Sequence, residues 1–357
     1  MGVLVATGDL MLTRPPAGAG VRWLGEADLS VVNLEVPLCT GGRPAEKLIN
    51  LRASPALAPA LRAAGVRVAS VANNHALDFG PEGLAQTLQA LRGAGIQPVG
   101  GGGTVQEALA PAVVRVGDTT VACLGLACTL PPGFAAGPTW AGIAPIHITY
   151  TVVFDAPTLE EQPGTSPYVR TAAVAEDVAR AEDAIRSARR QADLVVLAVH
   201  WGVPSGWVAA FQGPLAEYQR PLGRRLIDAG ADVIVGHHPH TLHGVERYRD
   251  GLICYSLGNF LFHSLGRGEE LVIARPGTPP YDLATLTSGE ALEGAVLVVE
   301  VGGGRIRSAR LRPLILDEAG EPQPAGDRAV AILDRIAAQS RRLGATFAVA
   351  DGELILL

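Results

Sequence analysis

Acidic, amide and imidazole side chains recur in this sequence immediately after short apolar runs. Asp9 follows residues 3–7, and Asn33-Leu34-Glu35 follows 29–32. Asn73-Asn74-His75, with Asp78 three residues on, follows 66–71. His200 follows 194–199, and His237-His238-Pro239-His240 follows 233–235. Each group alone has an ordinary reading: Asp9 as a turn residue, Asn73-Asn74 as an Asx-turn, His200 as a hydrogen-bonded structural histidine. Their recurrence at five run ends changes the reading. Three of the eight histidines fall within four positions at the last of them. Carboxylates, an asparagine and several imidazoles meeting at one edge form the mixed nitrogen and oxygen donor set that suits a divalent metal.

The runs that must position these groups are brief, apolar and mostly β-branched, as buried strands are. They span 3–7, 29–32, 66–71, 121–126, 194–199, 233–235 and 252–256. Between them, 55–64, 81–94, 171–188 and 215–229 carry apolar residues at helical spacing. Pro55 and Pro81 stand where a first-turn proline belongs, and Gly65, Gly95 and Gly230 where helices close. Alternating strand and helix predicts an α/β core, and open α/β sheets place their sites at the carboxyl ends of strands. Residues 131–170, rich in proline, glycine and threonine, lack a sustained period and predict a lid-like insertion. Two strand-like runs joined by Gly302-Gly303-Gly304 predict a hairpin, and 326–342 an amphipathic helix. The expected organisation is one domain over 1–312, carrying the insertion, with a C-terminal extension over 313–357 packed on it.

Composition excludes several function classes. Hydrophobic residues make up 48% of the 357, enough for a sizeable core, and disorder is excluded. Aromatics are 5% and the net charge is −6, which argues against stacking or phosphate-backbone binding to nucleic acid. Among 29 basic residues the single lysine is Lys47, after Glu46, so a Walker-type phosphate loop is absent and Schiff-base chemistry is set aside. The four cysteines are scattered without a C-x-x-C, as in reduced, buried thiols. No signal-peptide core or membrane-length apolar run is present, so a cytoplasmic protein without a membrane partner is expected.

The motifs G-D-x-M, N-L-E-x-P, N-N-H-x-x-D-x-G, H-W-G, G-H-H-P-H and Y-S-L-G-N-F run in order from Gly8 to Phe260. Together they resemble the CapA-type family, named for capsule poly-γ-glutamate synthesis and similar to the calcineurin-like metallophosphoesterases. The resemblance implies a calcineurin-like two-sheet sandwich flanked by helices, with metal at the strand ends. It implies metal ligation by Asp9, Glu35, Asn74, His200, His238 and His240, with His75 as the neighbouring catalytic histidine; His237 has no counterpart and reads as structural. Asp78, one turn beyond His75, is placed to hold that imidazole in one tautomer. Three departures point away from a full two-metal phosphatase. Met11 stands where the wider superfamily has a histidine, Asn33-Leu34-Glu35 replaces G-D-x-x-D, and Val203-Pro204-Ser205 lacks the acid many relatives carry after H-W-G.

The preferred functional expectation is metal-assisted acid–base chemistry on a peptide or polyamide, with peptide Cα epimerisation as its sharpest form. His75–Asp78 would be one proton-transfer pair, and His200 or the 238–240 histidines with Asp9 a second. The cofactor would be one or two divalent ions per chain, Ca, Mn, Zn or Mg. Metal-dependent phosphoester hydrolysis and an accessory role in poly-γ-glutamate synthesis are the alternatives. Arg52 could clamp an anionic substrate group or lie on the surface. Trp201 and Tyr255 either line a substrate pocket or pack in the core, and Asn259 joins the candidate substrate-binding set.

Overall fold

Successive side chains of a strand point to opposite faces, and the central strands here are apolar on both. In the first strand, Gly2–Met11, Leu4 and Ala6 join one apolar cluster while Val5 joins another. Leu194–His200 divides likewise: Val196 faces the cluster of Leu4, and Val195, Leu197 and Val199 face a third. Three cores separated by two sheets follow directly from that alternation.

The computed structural model describes residues 1–162, 164, 168–202, 215–263, 270–272 and 288–357. In the larger sheet, Gly2–Met11 lies parallel to Leu29–Leu34, followed by Val68–Ser70 and Gln97–Val99, also parallel. On its other side Gly2–Met11 pairs antiparallel with Glu293–Gly302 and parallel with Asn259–Phe262. The second sheet places Thr119–Ala127, Leu194–His200, Val233–His237 and Gly251–Cys254 side by side, all parallel. Leu4, Val31, Val121, Val196, Val235 and Leu297 fill the space between the sheets. Helices Ala58–Ala63 and Gly80–Gly93 cover the outer face of the first sheet through Leu61, Leu84, Leu88 and Leu91. Ala175–Arg189 and Gln219–Asp228 cover the second through Val178, Ile185, Leu222 and Leu226. This is a two-sheet sandwich flanked by helices, the architecture that the motif resemblance implies.

The hairpin after Leu292 is present as Glu293–Gly302 and Arg305–Leu316, turning at Gly303 and Gly304 with φ of +59° and +70°. Two successive left-handed residues match the twist of the flanking strands. Helix Ala329–Arg342 inserts Ile332, Leu333 and Ile336 into the inter-sheet core, and Glu353–Ile355 pairs with Arg305–Leu316. Arg305–Leu316 runs through residue 312 without interruption. The four cysteines are buried and unpaired. Among the described residues, no helix is long and apolar enough to cross a membrane.

Two regions differ from the pattern in the sequence. The helix expected over 171–188 starts at Ala175, because Tyr168–Ala173 pairs antiparallel with Ile148–Val153. Val169 and Thr171 are β-branched and favour the strand. Part of 131–170 is therefore regular: Gly142–Ile143 pairs with Gly101–Gly102, and helix Ala156–Glu161 follows the strand Ile148–Val153. Residues 163 and 165–167 of that segment, and Val203-Pro204-Ser205, lie outside the described residues.

His243, just beyond the Val233–His237 strand, is buried, and burial pushes its imidazole down to about 4. The unfolded chain takes up that proton near the ordinary 6.5, whereas the folded chain resists until about 4. Stability is thus fully present above about 6.5 and is lost as the pH falls through this window. The thermal midpoint of metal-free protein should fall from pH 7 to pH 4, and His243→Gln should flatten that slope. An unchanged slope in the variant would exclude His243 as a contributor.

Candidate metal centre

Parallel pairing brings the strand ends to one edge, and register decides which side chains meet there. Asp9 is the register partner of both Asn33 and Asn259 in the larger sheet. His200 is level with His237 in the second. The first strand departs from regular pairing between Ala6 and Asp9. Gly8 lies in that break, where a Cβ would fall 1.9 Å from the Gly258 carbonyl oxygen, so only glycine lets the two backbones approach. The two sheets are joined at the same level, where the ring Nε2 of His237 lies 2.9 Å from the Thr7 carbonyl oxygen and donates to it. The structural reading of His237 agrees with this contact.

Asp9 and Glu35 are both buried, at 0% and 1% exposure. Asp9 accepts from Asn33 Nδ2 at 2.8 Å and from the His238 backbone N–H at 3.0 Å. That second bond holds His238 in a left-handed conformation, φ +96°, and His240 follows at +59°. Non-glycine residues hold such angles only when their surroundings fix them, and such strain clusters at functional sites. His240 turns its Nδ1–H to Asn259 Oδ1 at 2.9 Å, leaving Nε2 with the lone pair, 3.6 Å from Glu35 Oε1.

Among the described residues, neither Glu35 oxygen has a hydrogen-bond partner, and neither does His238 Nδ1. Desolvation, reinforced by neighbouring Asp9, holds the Glu35 carboxyl well above the usual range. Burial likewise pushes His238 down to about 3. An unsatisfied buried carboxylate costs several kcal/mol in a protein interior, roughly. A cation among these groups removes that cost. Glu35, His238 and His240 present ligand atoms within 4.8 Å of one another. Ligands about 2.1 Å from one ion lie roughly 3.0–4.2 Å apart, so the group fits a divalent metal with small adjustment.

The remaining expected ligands stand around this group in different ways. Asp9 Oδ2 lies 3.5 Å from His240 Nδ1. His200 Nε2 is 3.5 Å from Glu35 Oε1 but only 2.7 Å from Asn74 Oδ1. Its Nδ1 faces Asn33 Nδ2 at 3.3 Å, so His200 receives there and donates from Nε2 to Asn74. In this arrangement His200 sits beside the compact triad and orients Asn74. His75 and Asp78 form the expected pair, Nδ1 to Oδ2 at 2.7 Å, with Asp78 fully buried. The Nδ1–H bond leaves Nε2 as the basic nitrogen of His75.

Three of the four expected substrate-binding residues are placed otherwise. Trp201 and Tyr255 are fully buried and stacked at 5.5 Å between ring centroids, with Trp201 Nε1 donating to the Tyr255 carbonyl. The Tyr255 hydroxyl donates to Glu246, which is held by Arg220 and Arg224, so these rings are core. Asn259 is fully buried and acts on His240 from behind. Arg52 lays its guanidinium on the Phe79 ring at 4.7 Å, next to Asp78 in sequence.

Sequence reasoning missed three residues. Asn33 joins Asp9, His200 and Asn73. Asn73 receives the His75 N–H and donates to the Leu34 carbonyl. Lys47 donates to Asp78 Oδ1 at 2.6 Å and to the Asn74 carbonyl at 2.5 Å, with its ammonium 5.4 Å from the Phe134 ring centroid. Its signal was present in composition, as the sole lysine in an arginine-rich chain.

Residues 3–264 match the family described as "Bacterial capsule synthesis protein PGA_cap". The chain belongs to that family. It is 33% identical over 218 residues to the capsule biosynthesis protein CapA of Bacillus anthracis, covering 61% of this chain and 45% of that protein. It is 31% identical over 221 residues to the PGA biosynthesis protein CapA of Bacillus subtilis, covering 62% and 49%. A probable polyglutamine synthesis accessory protein of Mycobacterium tuberculosis is 33% identical over 261 residues, covering 69% and 61%. The chain spans about half the length of the two CapA proteins. A structure from Thermus thermophilus aligns with a TM-score of 0.42 at 14% identity, over 87% of this chain and 98% of that one.

Two outcomes follow from the geometry. Asn259→Ala, which frees the His240 ring, should weaken Mn²⁺ binding about 10–100-fold in calorimetry while the circular dichroism spectrum is unchanged. Trp201→Ala should cost about 3–5 kcal/mol in urea unfolding, as a packing residue does. A Trp201 variant of native stability would return that ring to the candidate substrate site.

Proposed function

We propose that this chain is a metal-centred accessory protein of polyglutamate synthesis, acting on a polyamide at the strand-end site. The observation that carries this reading is the unpartnered Glu35 carboxylate beside His238 and His240, in a chain of the capsule synthesis family. The substrate class is supported by the names of two relatives, a PGA biosynthesis protein of Bacillus subtilis and a probable polyglutamine synthesis accessory protein of Mycobacterium tuberculosis.

In this reading Glu35, His238 and His240 hold one divalent ion, with Asp9 and Asn74 adjoining. When bound, the ion supplies Lewis-acid polarisation of an amide or phosphoryl oxygen. His75 sits nearby with its Nδ1–H fixed on Asp78, so Nε2 is the nitrogen that takes or returns a proton. Burial lowers the proton affinity of His75, and Asp78 opposes that shift. This combination keeps His75 neutral and able to act as a base at neutral pH. Asn73 and Lys47 fix the loop carrying it. The comparisons favour an accessory role in polymer synthesis over peptide epimerisation, and the site chemistry is shared by both.

Incubating Mn²⁺-loaded protein with poly-γ-glutamate in D₂O, followed by mass spectrometry, tests this reading. Binding in calorimetry that is lost with the Glu35→Gln variant is expected. Shortened chains would show amide hydrolysis, and a one-dalton gain per residue with the backbone intact would show Cα exchange. Either product should disappear with His75→Ala. No binding to the polymer, alongside turnover of a phosphoester panel, would overturn the polyamide reading.

A further inference from the structure

The metal reading gives Lys47, a largely buried cation beside the site, no part in the charge balance. Lys47 has a side-chain exposure of 16%, and Asp78, which it contacts, has none. Its ammonium faces inward: 2.6 Å to Asp78 Oδ1, 2.5 Å to the Asn74 carbonyl and 3.2 Å to His75 Nδ1. Asp78 also receives the Leu51 N–H at 2.6 Å and the His75 ring at 2.7 Å. Both carboxylate oxygens of Asp78 are thus turned to donors of the protein. By contrast, Glu35 is equally buried and has no hydrogen-bond partner among the described residues.

The buried charge can be counted. Asp9, Glu35 and Asp78 carry three negative charges when ionised, and Lys47 carries one positive charge. The remainder is two negative charges, which one divalent ion neutralises. A second divalent ion would leave an excess of two positive charges in the same interior, a state that burial penalises heavily.

We infer that Lys47 serves as a built-in cation that satisfies the Asp78 end of the site and restricts the chain to a single divalent ion at Glu35, His238 and His240. The inference rests on the metal reading above and deepens it by fixing the stoichiometry. Lys47 is a positioning residue: it ties 45–51 to the loop carrying Asn74, His75 and Asp78, and it acts on the ion through charge.

Calorimetric titration of Mn²⁺ into the metal-free full chain, with electron paramagnetic resonance of the loaded protein, tests it. The expected result is one ion per chain, with a six-line spectrum free of exchange coupling. Lys47→Gln, which removes the charge but keeps a donor, should bind the first ion at least about tenfold more tightly or admit a second. Lys47→Arg should retain one ion at close to the native affinity and serves as the control should the glutamine variant not fold. Two ions in the native chain, or equal affinity in Lys47→Gln and native protein, would overturn the role of Lys47 while leaving the metal reading standing. No Mn²⁺ bound by the native chain would overturn both.

Discussion

Three carboxylates lie buried at the end of this sandwich, and the surrounding structure is arranged to make that burial tolerable. A carboxylate removed from water must be paired, hydrogen-bonded or protonated. Asp9 is met by an amide and a backbone N–H, and Asp78 by a lysine, a histidine and a backbone N–H. Among the described residues, Glu35 receives no hydrogen bond. The asymmetry is chemically informative, because two such groups are satisfied by the protein and the third, between two imidazoles, is the one a cation would satisfy.

Around these carboxylates, three asparagines carry the polar network. Asn33, Asn73 and Asn259 each have one amide oxygen and one NH₂, so each can receive from one neighbour and donate to another. Asn33 passes between Asn73 and Asp9, and Asn73 between His75 and the Leu34 carbonyl. Such a chain orients side chains without adding charge to an interior already rich in it. Parallel register makes it possible, since Asn33, Asp9 and Asn259 come from three adjacent strands at one level.

Much of this was legible in the sequence because strand ends leave a simple mark: an apolar β-branched run that stops at a polar residue. The central strands, the glycine hairpin and the clustering of Asp9, Glu35, Asn74, His75, His200, His238 and His240 all follow from that mark. Residues that act from a loop or from behind left weaker traces. Lys47 lies outside any periodic run and reaches the site only through the path of 45–51. Trp201 and Tyr255 adjoin motif residues in sequence, but period-two alternation turns them into the outer core against Leu222 and Leu226. Thr171 was ambiguous for a different reason: its neighbours suit a helix, and only pairing with Tyr150 settles it as strand.

The part of the chain beyond the family match is coupled to the site by backbone pairing and by a hydrogen bond that bears on the His240 ring. Asn259 can present its oxygen to His240 only if its NH₂ group is fixed elsewhere, and the Ala291 carbonyl does this at 2.9 Å. One residue separates Ala291 from Glu293–Gly302, the strand that pairs with Gly2–Met11, which carries Asp9. Gly258 and Gly294 bridge the same two segments, and the Asp9 N–H donates to the Gly258 carbonyl. The tautomer of His240 is therefore set through backbone from residues 288–302. A change in that segment would reach the candidate metal site through the His240 ring, with no candidate ligand altered.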